Sequence, residues 1–232
     1  MMIMAKRLKK FFNSQAFQNF IKSKNIKISF IIFFIMIFAS IFADYIAPEG
    51  YNYQELSKRL EPPSLKYPLG TDYLGRSIFS RAIHGSRVIF YISIVCIMIS
   101  TTIGVSLGLI SGFYGGIVDD IIMRLTDMML AFPTILLGIA ILAIIGAGLE
   151  NAMIAVGISA IAPYIRLVRG QVLAEREKLY VESSIALGGS SIHIITPPIL
   201  GNILSPVLVQ SAFTIANSIV MVASFGFIGI GA

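Results

Sequence analysis

The chain has 232 residues, of which 56% are hydrophobic and only 13% charged, with a formal net charge of +6. A soluble domain carries about 25% charged residues, so the composition excludes a water-soluble globular core and indicates an integral membrane protein. The surplus positive charge then belongs to basic cytoplasmic loops rather than to a nucleic-acid surface, and the lone cysteine, Cys96, has no partner for an internal disulfide.

Crossing the hydrocarbon layer takes about 20 apolar residues of helix. In chain order the sequence predicts a basic N-terminus over 1–25 and a first span over 26–46, with Lys27 placed to snorkel. A second span over 88–111 is free of charge, and a third covers 128–149. The fourth is short, 152–168, completed by Arg166 reaching the interface. A fifth covers 199–224 and runs into a turn at the closing glycines. The fold class is therefore all-α, a polytopic membrane protein with about five transmembrane helices.

Charge sorts these segments by side. Lys6, Arg7, Lys9, Lys10, Lys22, Lys24 and Lys27 precede or open the first span, which places the N-terminus in the cytoplasm. Alternation then puts 47–87 outside, 112–127 inside, Glu150 outside and 166–193 inside. On this map the inner segments carry the whole net charge of +6.

Catalytic chemistry is not written into the chain. There is no His-Glu-x-x-His, no Gly-x-Ser-x-Gly and no glycine followed by lysine to make a phosphate-cradling loop. The two histidines, His84 and His193, fall on opposite sides of the map and do not make a metal site. No cofactor is expected, and any ATP must be bound by another chain.

Three patterns stand out. Gly104, Gly108 and Gly112 repeat every four residues, a small-residue stripe along which a second helix can approach closely; the spacing does not choose between packing within the chain and a subunit interface. Asp120 and Asp127 flank Arg124 at helical spacing, which predicts ion pairs along one helix face, followed by a kink at Pro133. Finally, Leu179–Leu187 is a helix-forming stretch ended by Gly188, and Ser190 or Ser191 is placed to cap a second short helix. Ser183, Ser184 and Ala186 keep the first helix low, and Glu182 gives it a charge. A plain connecting loop between spans is the alternative reading.

The segment from Glu182, Ser183 and Ser184 through Ala186 to Gly188, followed by Ile199-Leu200-Gly201-Asn202, resembles the EAA loop of ABC-importer permeases. The stretch YPLGTDYLGRSIFSRAIHGSR (67–87) is similar to the segment before the second span of dipeptide and oligopeptide permeases, and DIIMRLTDMMLAFP and SFGFIGIG resemble the same family. Ser183 and Ser184 stand where that family usually has alanines, Gly201 where it has proline, Pro197 and Pro198 where it often has a basic–histidine pair, Tyr67 where His is common and Ser77 where Asp is common. The chain stops after its fifth span, where the family continues through an external loop to a sixth.

The resemblance implies an ABC-importer transmembrane domain over 26–232, in a bacterial inner membrane, with a coupling loop over 169–198. It implies a second homologous permease subunit, two cytoplasmic ABC ATPase subunits and an external solute-binding protein as partners. The solute class would be peptides or a related small solute, nickel included, moved by alternating access. A secondary transporter or channel subunit and a degenerate, non-transporting scaffold are the alternatives. The charge map is checked with single cysteines at Ser57 and Ser190 in a Cys96→Ser background. A membrane-impermeant maleimide applied to spheroplasts should modify position 57 and spare position 190 until the membrane is opened; modification of both from outside overturns the map.

Overall fold

A computed structural model describes residues 24–231; the basic segment up to residue 23 lies outside the described residues. The helices are α1 (Lys24–Ile41), α2 (Ala43–Ile46), α3 (Ile78–Tyr114), α4 (Gly116–Leu130), α5 (Thr134–Ile145), α6 (Leu149–Ser159), α7 (Ile161–Arg176), α8 (Leu179–Ala186), α9 (Ser191–Ile194) and α10 (Leu200–Ile228). A wider-turned helical segment, Ile195–Ile199, joins α9 to α10, and one 3₁₀ turn covers Leu56–Lys58. No strand occurs among the described residues. The protein is a polytopic all-α membrane protein. Three helical runs, α3, α6 with α7, and α10, are long and apolar enough to cross a membrane, and α4 with α5 passes the same test as a bent pair.

Helix limits depart from the sequence expectations for local reasons. The first apolar segment closes at Ile41 and resumes only as the short α2, so among the described residues its apolar part, Lys27–Ile41, is shorter than a full crossing. The single helix expected over 128–149 is two helices, whose axes turn by 96° at the break between Leu130 and Thr134. Pro133 supplies that break, because it has no N–H to donate and disfavours helical geometry at Phe132. By contrast, the stretch expected over 152–168 runs on to Arg176 with only a slight interruption at Ala160. Pro163 lies in the first turn of α7, where its missing N–H breaks no bond.

The described residues fall into two compact units that divide between Val88 and Ile89. In the first, the segment 47–77 is organised by Asp72. Its carboxylate accepts hydrogen bonds from the Leu74 N–H (2.8 Å), the Arg76 N–H (3.0 Å), Arg76 Nε (2.7 Å) and Arg81 Nη1 (2.8 Å). The Thr71 hydroxyl donates to the Lys58 carbonyl and accepts from the Glu61 N–H. Arg87 pairs with Asp44 at 2.8 Å and donates to the Ser40 carbonyl. The His84 Nε2 lies 3.0 Å from the Ala47 carbonyl oxygen.

The second unit packs α5 along α6, α10 against α6 and α7, and α4 against α7. One buried cluster gathers Cys96, Leu142, Met153, Val156, Val222 and Phe225. The other gathers Tyr164, Val168, Val172, Val181, Ile194 and Ile203. The glycine stripe of α3 lies directly on α7. A Cβ built on Gly104 would sit 2.5 Å from the Tyr164 Cβ, and on Gly108 or Gly112 it would sit 2.7 Å from the Cβ of Val168 or Val172. Backbone therefore meets side chain with no room for a methyl group, the contact that drives helix association where lipid offers no hydrophobic gain.

Two measurements follow from these contacts. Gly108→Ala must displace Val168 and should cost about 1–3 kcal/mol, read as a lower thermal unfolding midpoint in detergent. Gly170→Ala, with nothing near its Cβ, should be neutral or slightly stabilising because alanine is the better helix former. The second measurement concerns Asp72. Burial alone would raise its pKa, but the Arg76 backbone and guanidinium, the Leu74 N–H and Arg81 outweigh burial and hold it well below the ordinary carboxylate range. The group then binds a proton more readily in the unfolded chain, so its contribution to stability is complete above the unfolded pKa and is lost as the pH falls toward the depressed folded value. Between about pH 5 and pH 3 the wild type should lose more thermal stability than Asp72→Asn; equal losses would show that the network does not select the charged form.

Candidate functional site: the loop between α7 and α10

The residues picked out in the sequence, Glu182, Ser183, Ser184, Ala186 and Gly188, lie on α8 and its C-terminal turn. The helix starts after Lys178, whose backbone is extended (φ −82°, ψ 140°). It stops in a double-glycine turn. Gly188 takes φ +76°, its N–H donates to the Ile185 carbonyl, and the Gly189 N–H donates to the Ser184 carbonyl, each at 2.9 Å. This is the Schellman pattern, which satisfies the last carbonyls of a helix and favours glycine at the left-handed position. A Cβ on Gly189 would approach the Ser184 carbonyl oxygen to 2.8 Å, so both glycines are required. Ser190 caps α9 by accepting from the His193 N–H.

Burial divides the loop into two sides. Val181 and Ile194 point inward and join Tyr164, Val168 and Ile203. Glu182, Ser183 and Ala186 face outward, and Ser184 is half-buried. The Ser183 hydroxyl donates back to the Leu179 carbonyl at 2.7 Å, so its hydrogen is already used within the helix. Leu179 (79% exposed), Ile185 and Leu187 (88%) project on the outer side. The sequence reading saw only the small residues and the acid on this surface. The apolar residues beside them were readable as residue types, but their direction depended on which side the core takes.

A second feature was not foreseen. Glu175, at the end of α7 and only 7% exposed, is bonded by three groups. The Lys178 ammonium pairs with it, the Tyr180 hydroxyl donates to it, and Asn202 Nδ2, in the first turn of α10, lies 2.9 Å away. The same Nδ2 lies 3.1 Å from the Tyr180 oxygen. Burial first, and then the Glu175 carboxylate, push the Tyr180 phenol above its usual pKa, so it stays a donor at neutral pH.

The ion pairs expected within α4 are found across helices instead. Asp127 pairs with Arg166. Asp119 is gripped by Arg169 through two bonds of 2.6 Å and also accepts from Ser111. No ion pair joins Arg124 to Asp120 or Asp127 among the described residues. The two-bond fork of Arg169 on Asp119 is stronger than a flexible pair along one exposed face, whereas Asp127 and Arg166 meet as an exposed pair. Arg176 Nη1 reaches the Gly112 carbonyl at 3.2 Å and its guanidinium lies over the Phe113 ring. The stripe residues Gly104, Gly108 and Gly112 are thus occupied by α7 of the same chain.

Comparison with known proteins agrees with this architecture. Residues 104–232 match the model of the binding-protein-dependent transport system inner membrane component, and residues 12–63 match that of the N-terminal TM domain of oligopeptide transport permease C. The chain is 39% identical to the dipeptide transport system permease protein DppC of Haemophilus influenzae over 219 residues, 92% of this chain and 74% of that protein. It is 41% identical to the probable D,D-dipeptide transport system permease protein DdpC of Escherichia coli over 204 residues, 88% and 68% respectively. With the glutathione transport system permease protein GsiD of Pectobacterium atrosepticum it shares 39% over 199 residues, 85% and 66%. With its membrane-crossing helices and these relatives, the chain belongs to the binding-protein-dependent transport system inner membrane components, as a multi-pass permease subunit of an ABC transporter.

Proposed function

We propose that the protein imports peptides, with ATP hydrolysed by separate subunits that grip α8. The relatives that it matches are named for dipeptide and glutathione transport, which supports a short-peptide class of solute. In this reading the N-terminus is cytoplasmic, a second homologous permease subunit completes the pathway, two ABC ATPases bind from the cytoplasm and a solute-binding protein delivers from outside. The chain supplies the pathway and the lever, and none of the ATP chemistry.

The observation that carries the reading is the two-sided build of α8. Its inner side is fixed to the same buried cluster as α7 and α10, while Leu179, Glu182, Ile185 and Leu187 stand outward with no partner in the described chain. An apolar patch with one acid, held on a firm base, is what a partner groove needs, since burial supplies affinity and the charge fixes orientation. Leu179 and Ile185 are placed as the anchors, with Leu187, just past the last residue of α8, at the rim of the contact. Glu182, Ser183, Ser184 and Ala186 shape the contact between them, and Gly188 sets the angle of the following turn.

The test is co-purification of the cognate ATPase with expression-matched variants. Glu182→Ala should weaken association without changing membrane insertion. Gly188→Val should do more, because a β-branched residue is strained at φ +76° and costs at least about 1–2 kcal/mol there. If both variants hold the ATPase and take up labelled dipeptide like wild type, α8 is a linker and the reading fails.

A further inference from the structure

The Glu175 cluster does more than satisfy a buried acid. It ties the end of α7 and the entry to α8, which are neighbours along the chain, to the first turn of α10, 27 positions after Glu175. By the chain itself, α8 reaches α10 only through the double-glycine turn, α9 and the wider-turned segment around Pro198. The ring of Glu175, Tyr180 and Asn202 bypasses that path. Val181 of α8 also shares a buried apolar cluster with Ile194, Ile199 and Ile203. Apolar burial holds groups near one another but is non-directional; hydrogen bonds to a charged oxygen are short and angle-dependent. Proximity is therefore kept by the cluster of aliphatic side chains and orientation by Glu175.

We propose that Glu175 is a positioning residue that locks α8 to the first turn of α10, so that the two move as one body when a cytoplasmic partner displaces α8. This rests on the docking of α8 proposed above. In the lock, Tyr180 is the arm from α8 and Asn202 the arm from α10. Lys178 pairs with the acid and offsets its charge. Displacement of α8 then reaches α10 directly, without passing through α9 and the segment around Pro198.

The test uses the assembled transporter with cysteine-free partner subunits and a Cys96→Ser background. Spin labels are placed at Leu187 and Leu204, both exposed, and their separation is measured without nucleotide and with ATP trapped by vanadate. In the wild type the distribution should be narrow and unchanged by nucleotide. In Glu175→Ala and Tyr180→Phe it should broaden and become nucleotide-dependent, as the locked fraction falls by roughly tenfold, the factor that one charge-assisted hydrogen bond commands. Glu175→Gln should be intermediate, and the ATPase should still co-purify with all three. A wild-type distance that shifts with nucleotide overturns the proposal, and so does a narrow, constant distance in the variants. If Glu175→Ala does not assemble, Tyr180→Phe, which keeps the ring volume, decides by the same criterion. Failure of the docking reading shows separately, as undiminished co-purification of the ATPase with Gly188→Val.

Discussion

The close approach of α3 and α7 along three glycines is the contact on which the second unit depends. With no side chain at Gly104, Gly108 or Gly112, the backbone of α3 lies against Tyr164, Val168 and Val172. That approach is what lets polar groups on the two helices meet. Ser111 and Arg169 share Asp119, and Arg176 reaches the Gly112 carbonyl. It also fixes the position of the end of α7, hence of Glu175. A bulkier stripe would move α7 outward, and bonds of 2.6 to 3.2 Å would not survive a shift of an ångström or two.

Electrostatics then works within limits set by that packing. A chain this apolar cannot leave cations unattended near the hydrocarbon. On α7, Arg166 and Arg169 each meet an acid of α4, and Arg176 meets a carbonyl and an aromatic face. Arg166 and Asp127 are both well exposed, so that pair is worth little on its own. The Arg169–Asp119 pair is better shielded and bidentate, with Ser111 as a further donor. It is the one that specifies how α4 sits on α7. The bend at Pro133 belongs to the same arrangement, because α4 keeps Asp119 and Asp127 against α7 while α5 turns away to pack on α6.

Local features were legible in the sequence. Long apolar windows fixed the all-α class, the four-residue glycine period marked a packing face, and Gly188 marked a helix stop, because each depends on neighbours within a turn or two. Features decided by distant partners were not. Arg124 has Asp120 and Asp127 at ideal helical spacing, yet Asp127 goes to Arg166 of α7, 39 positions along the chain, and the neighbouring Asp119 goes to Arg169. Glu175 is three residues from Lys178 and would be read as half of a surface pair; its further partner Asn202 lies 27 positions later. The right-angle bend at Pro133 was visible only as a kink, since proline dictates that a helix breaks and not the direction in which the next one leaves.

The double-glycine stop on α8 also has a mechanical consequence. Helices often absorb a pull by winding or unwinding a residue at their frayed ends, which turns applied work into local rearrangement. At this end such yielding is unfavourable in both directions. Winding on would require Gly188 to leave φ +76° and give up the bonds to Ile185 and Ser184, and unwinding would strand the same two carbonyls. The C-terminal end of α8 is therefore set, like the cut end of a strut, and a push that reaches it passes on as translation and tilt.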